Sequence, residues 1–255
     1  MDDDQMKTAI TKIEPGSIRI KGYNIVELME KKSFAEVVFL LLKGELPSPT
    51  EAKMMEAILV SSVDHGVTPP SSLATRVVAS GGNPLNAAIA GGILTIGDSH
   101  GGAMEKCAKI LQEWAAKGDN IEEIADELLD HIKSTKLRMP GFGHRLHKTD
   151  PRTVKMFEIA DKNNFTGKHI QLAKALENRL VTGSGKKLPI NVDGAIGAVM
   201  SDMGFDYRIG KGFFIISRCA GLIAHAYEEL TRYKPMRKLG LTNYEYDGPG
   251  EREVE

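Results

Sequence analysis

The chain has 255 residues, enough for one large domain or two closely joined ones, and carries 33 Lys and Arg against 34 Asp and Glu. A net charge of −1 excludes the broad basic surface that nucleic acid requires, while leaving room for a local basic cluster around an anionic ligand. Two cysteines, Cys107 and Cys219, lie far apart in apolar helical runs, which indicates neither a disulfide framework nor a zinc knuckle.

In chain order, the acidic start MDDDQMK lacks the apolar core of a signal peptide, so a cytoplasmic location is expected. Ser17 to Ile20 reads as a short extended piece. Ser33-Phe34-Ala35-Glu36 and Ser48-Pro49-Thr50-Glu51 are capping-box patterns, and Pro49 fits the first helical position. Gly44, Gly66, Gly81 and Gly118 are candidate helix stops. The uncharged stretch from Val77 to Gly97 has the length of a membrane span. Gly81-Gly82-Asn83-Pro84 breaks it into two short helices, so no membrane is expected. The second of these, Pro84 to Gly97, has almost no side-chain bulk. That suits either a central core helix or close approach to another subunit.

Met104, Cys107, Leu111 and Trp114 share one helical face, as do Ile121, Ile124, Leu128 and Ile132. Lys136 to Asp150 is an irregular basic and glycine-rich loop, and Asp150-Pro151 opens the next helix. Pro189 to Val192 is the other extended candidate, and Arg232 to Glu255 is a loose tail. About ten helices in one array are expected, an all-α fold.

Three of the seven histidines sit in polar, glycine-rich settings. These are Asp64-His65-Gly66 at a helix end, Asp98-Ser99-His100-Gly101-Gly102 at a helix start, and Gly141-Phe142-Gly143-His144-Arg145 in the irregular loop. Each is a place where a ligand can approach a ring closely, or a turn histidine with a structural hydrogen bond. His131 and His169 read as exposed, and His225 as structural. His144 and His147 form an H-x-x-H step with no neighbouring ligand to complete a metal set. Gly183-Ser184-Gly185-Lys186-Lys187 is not a P-loop. Asp193, between an apolar strand-like piece and an alanine-glycine helix, suits a partly desolvated proton-transfer group or a helix N-cap. Arg218, inside an apolar run, requires an anion, from the protein or from a ligand.

Taken in order, these segments resemble the citrate synthase family. Ile20-Lys21-Gly22-Tyr23, Leu40-Leu41-Leu42-Lys43-Gly44-Glu45-Leu46-Pro47, Asp64-His65, Ser99-His100-Gly101-Gly102-Ala103, Gly141 to Arg145, Asp150-Pro151-Arg152 and Asn191-Val192-Asp193 follow one another at family-like spacing. Within the family, Leu94 to Asp98, Lys186-Lys187 and Asn191 to Gly197 are most similar to citryl-CoA lyases and the citrate-synthase-like end of ATP-citrate lyase. The resemblance implies a large helical part, about 1–110 and 190–255, and a smaller CoA-binding helical part, about 111–189.

By the same resemblance, His65, His144, Arg152 and Arg218 hold the keto-acid half, His100 hydrogen-bonds the thioester oxygen, and Asp193 moves the proton at carbon. Gly141, Phe142, Gly143, Arg145, Lys148, Lys186 and Lys187 are the expected CoA contacts, CoA entering as part of substrate and product with no permanently bound cofactor. The expected reaction cleaves citryl-CoA to acetyl-CoA and oxaloacetate, in a homodimer or larger homo-oligomer. A separate citryl-CoA synthetase is the expected companion, since no citrate-activating module precedes the domain and the N-terminal portion of citrate synthases is missing. A short citrate or 2-methylcitrate synthase and a non-catalytic CoA-binding assembly module are the alternatives. Lys234-Pro235 stands where citrate synthases have Arg-Pro.

Overall fold

A computed structural model describes residues 6–143, 149–181, 187–237 and 245–254. The chain begins with an antiparallel meander, β1 (Thr11–Glu14), β2 (Ser17–Ile20) and β3 (Tyr23–Asn24). Glu14 pairs with Ser17 across the two-residue turn Pro15-Gly16, where Gly16 takes a positive φ of 73°. Sequence reading found β2 alone of the three.

Eleven α-helices follow among the described residues: α1 (Ile25–Lys31), α2 (Phe34–Lys43), α3 (Pro49–Ser61), α4 (Pro70–Ser80), α5 (Leu85–Leu94), α6 (Ala103–Ala115), α7 (Ile121–Thr135), α8 (Pro151–Lys162), α9 (Lys168–Arg179), α10 (Val192–Asp202) and α11 (Gly210–Arg232). The all-α expectation holds. Both capping boxes form, at Ser33 with Glu36 and at Ser48 with Glu51, and α2 stops at Gly44 in the left-handed region. Gly66 and Gly118 are not the stops expected of them, because α3 ends at Ser61 and α6 at Ala115.

Helix α10 is the centre of the molecule. Every residue from Gly194 to Ser201 is buried, which only a chain of small and apolar side chains tolerates. It lies directly on α6, since a Cβ at Gly197 would come within 3.1 Å of the Met104 carbonyl and the Ala108 amide. Around this pair pack α3, α8, α9 and the start of α11. The buried faces of α6 and α7 are those the apolar spacing marked, with Trp114 and Ile121 only partly covered. Each fully buried leucine or isoleucine here contributes about 1.5–3 kcal/mol. One buried cluster runs from α2 and α3 through α7, α8 and α9, across the expected boundaries near 110 and 190.

Helices α4 and α5 form a hairpin broken at residues 81–84, as the glycine-proline break implied, and this hairpin packs along α11. The glycines of α5 serve contacts inside the chain: a Cβ at Gly92 would lie 2.0 Å from Thr75 Oγ1 and 2.8 Å from the Ser71 carbonyl oxygen. By length and composition α11 is long and apolar enough to cross a membrane. It nonetheless carries the buried Arg218 and Glu229, the latter paired with Arg76 and Arg237, which marks it as a core helix.

Candidate active site

The glycine loop 139–143 is fastened to the segment entering α10. The Gly143 amide donates to the Pro189 carbonyl (2.7 Å), the Asn191 amide to the Gly141 carbonyl (2.9 Å), and the Asn191 side chain to the Gly143 carbonyl (2.8 Å). Gly141, at φ 79°, and Gly194 touch through their backbones, and a Cβ on either would come within 2.5 Å of the other residue. Neither position accepts a side chain. Phe142 is buried in the main core, so its ring anchors the loop from inside, and Lys187 is exposed beyond it. His144, Arg145, Lys148 and Lys186 lie outside the described residues.

Asn191, not Asp193, caps α10: its side chain accepts the amides of Asp193 and Gly194. The capping alternative for Asp193 is thereby removed. Its carboxyl, near the buried Cys107, has no hydrogen-bond partner among the described residues. Burial pushes its pKa up; Arg152 pulls it down, Asp150 adds to the rise, and Arg218 pulls it down again. Cys107 below it is pushed to about 12 by burial and by Asp193 itself, so that thiol is inert.

Asp150 organises the next group. Fully buried, it caps α8, receives Nε and Nη2 of Arg152 at 3.1 and 2.9 Å, and accepts the Val192 amide at 3.2 Å. Burial raises its pKa, but these donors outweigh it and hold the carboxyl below the usual range. Arg152 is therefore aimed by a fixed carboxylate and reaches the Ser61 carbonyl at 3.4 Å.

On the facing side, His65 lies beyond the end of α3, and its pKa is lowered by burial and by the charges of Arg152 and Arg218. Arg218 is 3 % exposed, donates Nε to the Ser62 carbonyl (3.1 Å) and stacks on Phe214 (4.6 Å). Its Nη1 is buried with no partner among the described residues. His100 meets the same Phe214 edge-on at 5.4 Å, and its Nε2 lies 2.9 Å from Ser71 Oγ. The ring sits in a bridged turn between Gly97 and His100, three residues ahead of α6. Its pKa is lowered by burial and then by Arg218.

Sequence reasoning missed Ser71, Asp150's clamp and Phe214. Only the i, i+4 step from Phe214 to Arg218 was open to it. His169, expected to be exposed, is half-buried with Nδ1 2.7 Å from Asp202, whose carboxylate also caps α9. His131 is exposed as expected.

The site thus holds a protonatable carboxyl, two histidines biased toward neutrality and two arginines, a set suited to moving a proton beside a bound anion. A family model described as citrate synthase, C-terminal domain, matches residues 4–54 and 47–239. Citrate synthase 2 of Bacillus subtilis is 30 % identical over 232 residues, 90 % of this chain and 60 % of that protein, so the chain spans less than two thirds of that relative's length. A structure of citryl-CoA lyase from Hydrogenobacter thermophilus superposes with a TM-score of 0.90 at 46 % identity, covering 98 % of this chain and 97 % of that one. An ATP citrate lyase variant of Methanosaeta concilii, in complex with (3S)-citryl-CoA, shares the fold at a TM-score of 0.84 and 21 % identity, covering 98 % of this chain and 43 % of that one. The chain belongs to the citrate synthase family.

Proposed function

We propose that this protein is a citryl-CoA lyase, splitting citryl-CoA into acetyl-CoA and oxaloacetate. The observation that carries the reading is Arg218, whose buried Nη1 has no partner among the described residues and whose charge is felt by both the desolvated Asp193 and the neutral-biased His100. Likeness to the Hydrogenobacter citryl-CoA lyase along nearly the whole of both chains supports it.

Cleavage breaks the bond between the hydroxyl-bearing carbon and the thioester's methylene. The hydroxyl proton leaves, in the family's scheme to His144, and the electron pair moves to the thioester oxygen. His100 donates a hydrogen bond to that oxygen while the enolate exists, and a neutral donor serves this better than a cation that would give its proton away. Asp193 must be protonated beforehand, which burial favours, and it delivers its proton to the methylene carbon. Arg152 and Arg218 bind the carboxylates of the keto-acid half, Arg152 oriented by Asp150. Gly141, Phe142, Gly143, Arg145, Lys148, Lys186 and Lys187 are the proposed surroundings of CoA. Citryl-CoA would be supplied by a separate synthetase.

Apolar surface that α4, α5 and α11 leave open to solvent supports a homo-oligomer. Val77, Leu94 and Tyr227 are 50, 86 and 68 % exposed on it.

The test supplies citryl-CoA and follows acetyl-CoA, oxaloacetate and citrate. Equal acetyl-CoA and oxaloacetate with little citrate is expected, and Asp193→Asn should lower kcat by about 10²–10⁴-fold. Citrate with free CoA as the main products would instead mean a short citrate synthase.

A further inference from the structure

The loop that carries His65 lies on one face of α11, and three successive positions of that helix grip it. Arg218 Nε donates to the Ser62 carbonyl. One turn on, Gly221 gives room for the chain: a Cβ there would come 2.3 Å from the Val63 carbonyl oxygen and 3.1 Å from Asp64 Oδ1. One turn further, His225 Nε2 meets Asp64 Oδ1 at 2.9 Å. Asp64 in turn accepts the Gly66 amide through Oδ2 at 2.9 Å, wrapping its carboxylate around His65.

The tautomer of His225 follows from its other neighbour. Nδ1 lies 3.3 Å from Arg76 Nη1, and a guanidinium only donates. Nδ1 therefore accepts, the ring proton sits on Nε2, and Nε2 donates to Asp64. Arg76 is itself fixed, 3 % exposed and bonded through Nε to the buried Glu229 at 2.8 Å, which also receives Arg237. Partial burial raises the pKa of Asp64, and the donors Gly66 and His225 overcome it, so the carboxylate stays charged and holds its bonds.

We propose that His225 is a positioning residue for the keto-acid site: through Asp64 it sets where His65 stands relative to Arg152 and Arg218. The proposal rests on the citryl-CoA reading for its kinetic test, and its spectroscopic test stands apart from that reading.

Three variants separate the bonds. His225→Leu removes both. His225→Gln can donate to Asp64 and accept from Arg76. The shorter His225→Asn keeps the Arg76 contact and falls short of Asp64, and it serves if the leucine variant does not fold. In the condensation direction, losing a hydrogen bond to a charged group should raise KM for oxaloacetate about tenfold or more in the Leu and Asn variants. KM for acetyl-CoA should change little, and His225→Gln should recover most of the loss. In a His65→Ala background the further effect of His225→Asn should nearly vanish, because the two act as one unit. By NMR titration, the His65 midpoint should rise in His225→Asn as the loop leaves Arg152, Arg218 and its buried setting. An unmoved His65 midpoint with unchanged oxaloacetate KM, or full additivity with His65→Ala, overturns the proposal. If the unaltered protein turns over no citryl-CoA, the functional reading fails, and the His65 titration still decides the positioning.

Discussion

Asp193 stands in the first turn of α10, where two effects oppose each other: helix amides favour its charge and burial disfavours it. Burial wins, and stability should record it. With its native pKa above the ordinary 3.8, the folded protein holds the proton more tightly than the unfolded chain does. The contribution is fully present below that value and lost as pH rises through the native pKa. Asp193→Asn should therefore melt above the unaltered protein at pH 8, by about 2–4 °C for each kcal/mol recovered, and converge with it near pH 4. A Tm difference independent of pH would show that the carboxyl is not desolvated. His65 and His100, both lowered, add a loss of stability as pH falls below 6.5 that the two proteins share. Asp193 was legible in the sequence as one of two things, a proton-transfer group or a helix cap. Asp150, Ser71 and His225 were not, because their bonds join residues 42, 29 and 161 positions apart.

Among the elements, the α4–α5 hairpin ties packing to chemistry. Its break at residues 81–84 and the small residues of α5 were plain in the sequence. What those small residues touch was not, since close approach to a neighbour looks the same in one dimension whether that neighbour is α4 or a second subunit. The contact at Gly92 falls on Thr75 and on Ser71, and Ser71 holds His100. Gly92→Ala should thus cost about 1–3 kcal/mol by overpacking, read as a lower midpoint in urea. It should also lower kcat by displacing Ser71 from His100. Full activity in a destabilised variant would separate the hairpin from the site. The N-terminal meander was only partly read: β1, Thr-Lys-Ile-Glu, has one apolar residue against the alternating isoleucines of β2, and its pairing with β2 depends on the Pro15-Gly16 turn.

For the whole molecule, the proposed assembly has a surface to use. Val77, Leu85, Leu94, Ile223, Tyr227 and Leu230 are each more than 40 % exposed on α4, α5 and α11. Association through them should give at least a dimer in sedimentation velocity at assay concentrations. Leu94→Glu with Tyr227→Glu should shift it toward monomer while the far-ultraviolet spectrum holds. A monomeric, fully active unaltered protein would remove the proposal. The general architecture was readable because helix signals run from end to end, whereas the arrangement of the site was not, its groups coming from five separate stretches of chain.

Those groups divide into two sets, each braced within itself. Asp193, Asp150, Arg152 and the glycine loop are knitted by backbone bonds and the Gly141–Gly194 contact. His65, Arg218 and His100 are gathered on α11 and Phe214. Between the sets the long Arg152–Ser61 bond of 3.4 Å is a weak tie, and each set presents an arginine to the other. Those two like charges repel each other. A dianion lodged there reverses the sign of that force, so the molecule should be mechanically stiffest when it is occupied and should loosen each time it empties.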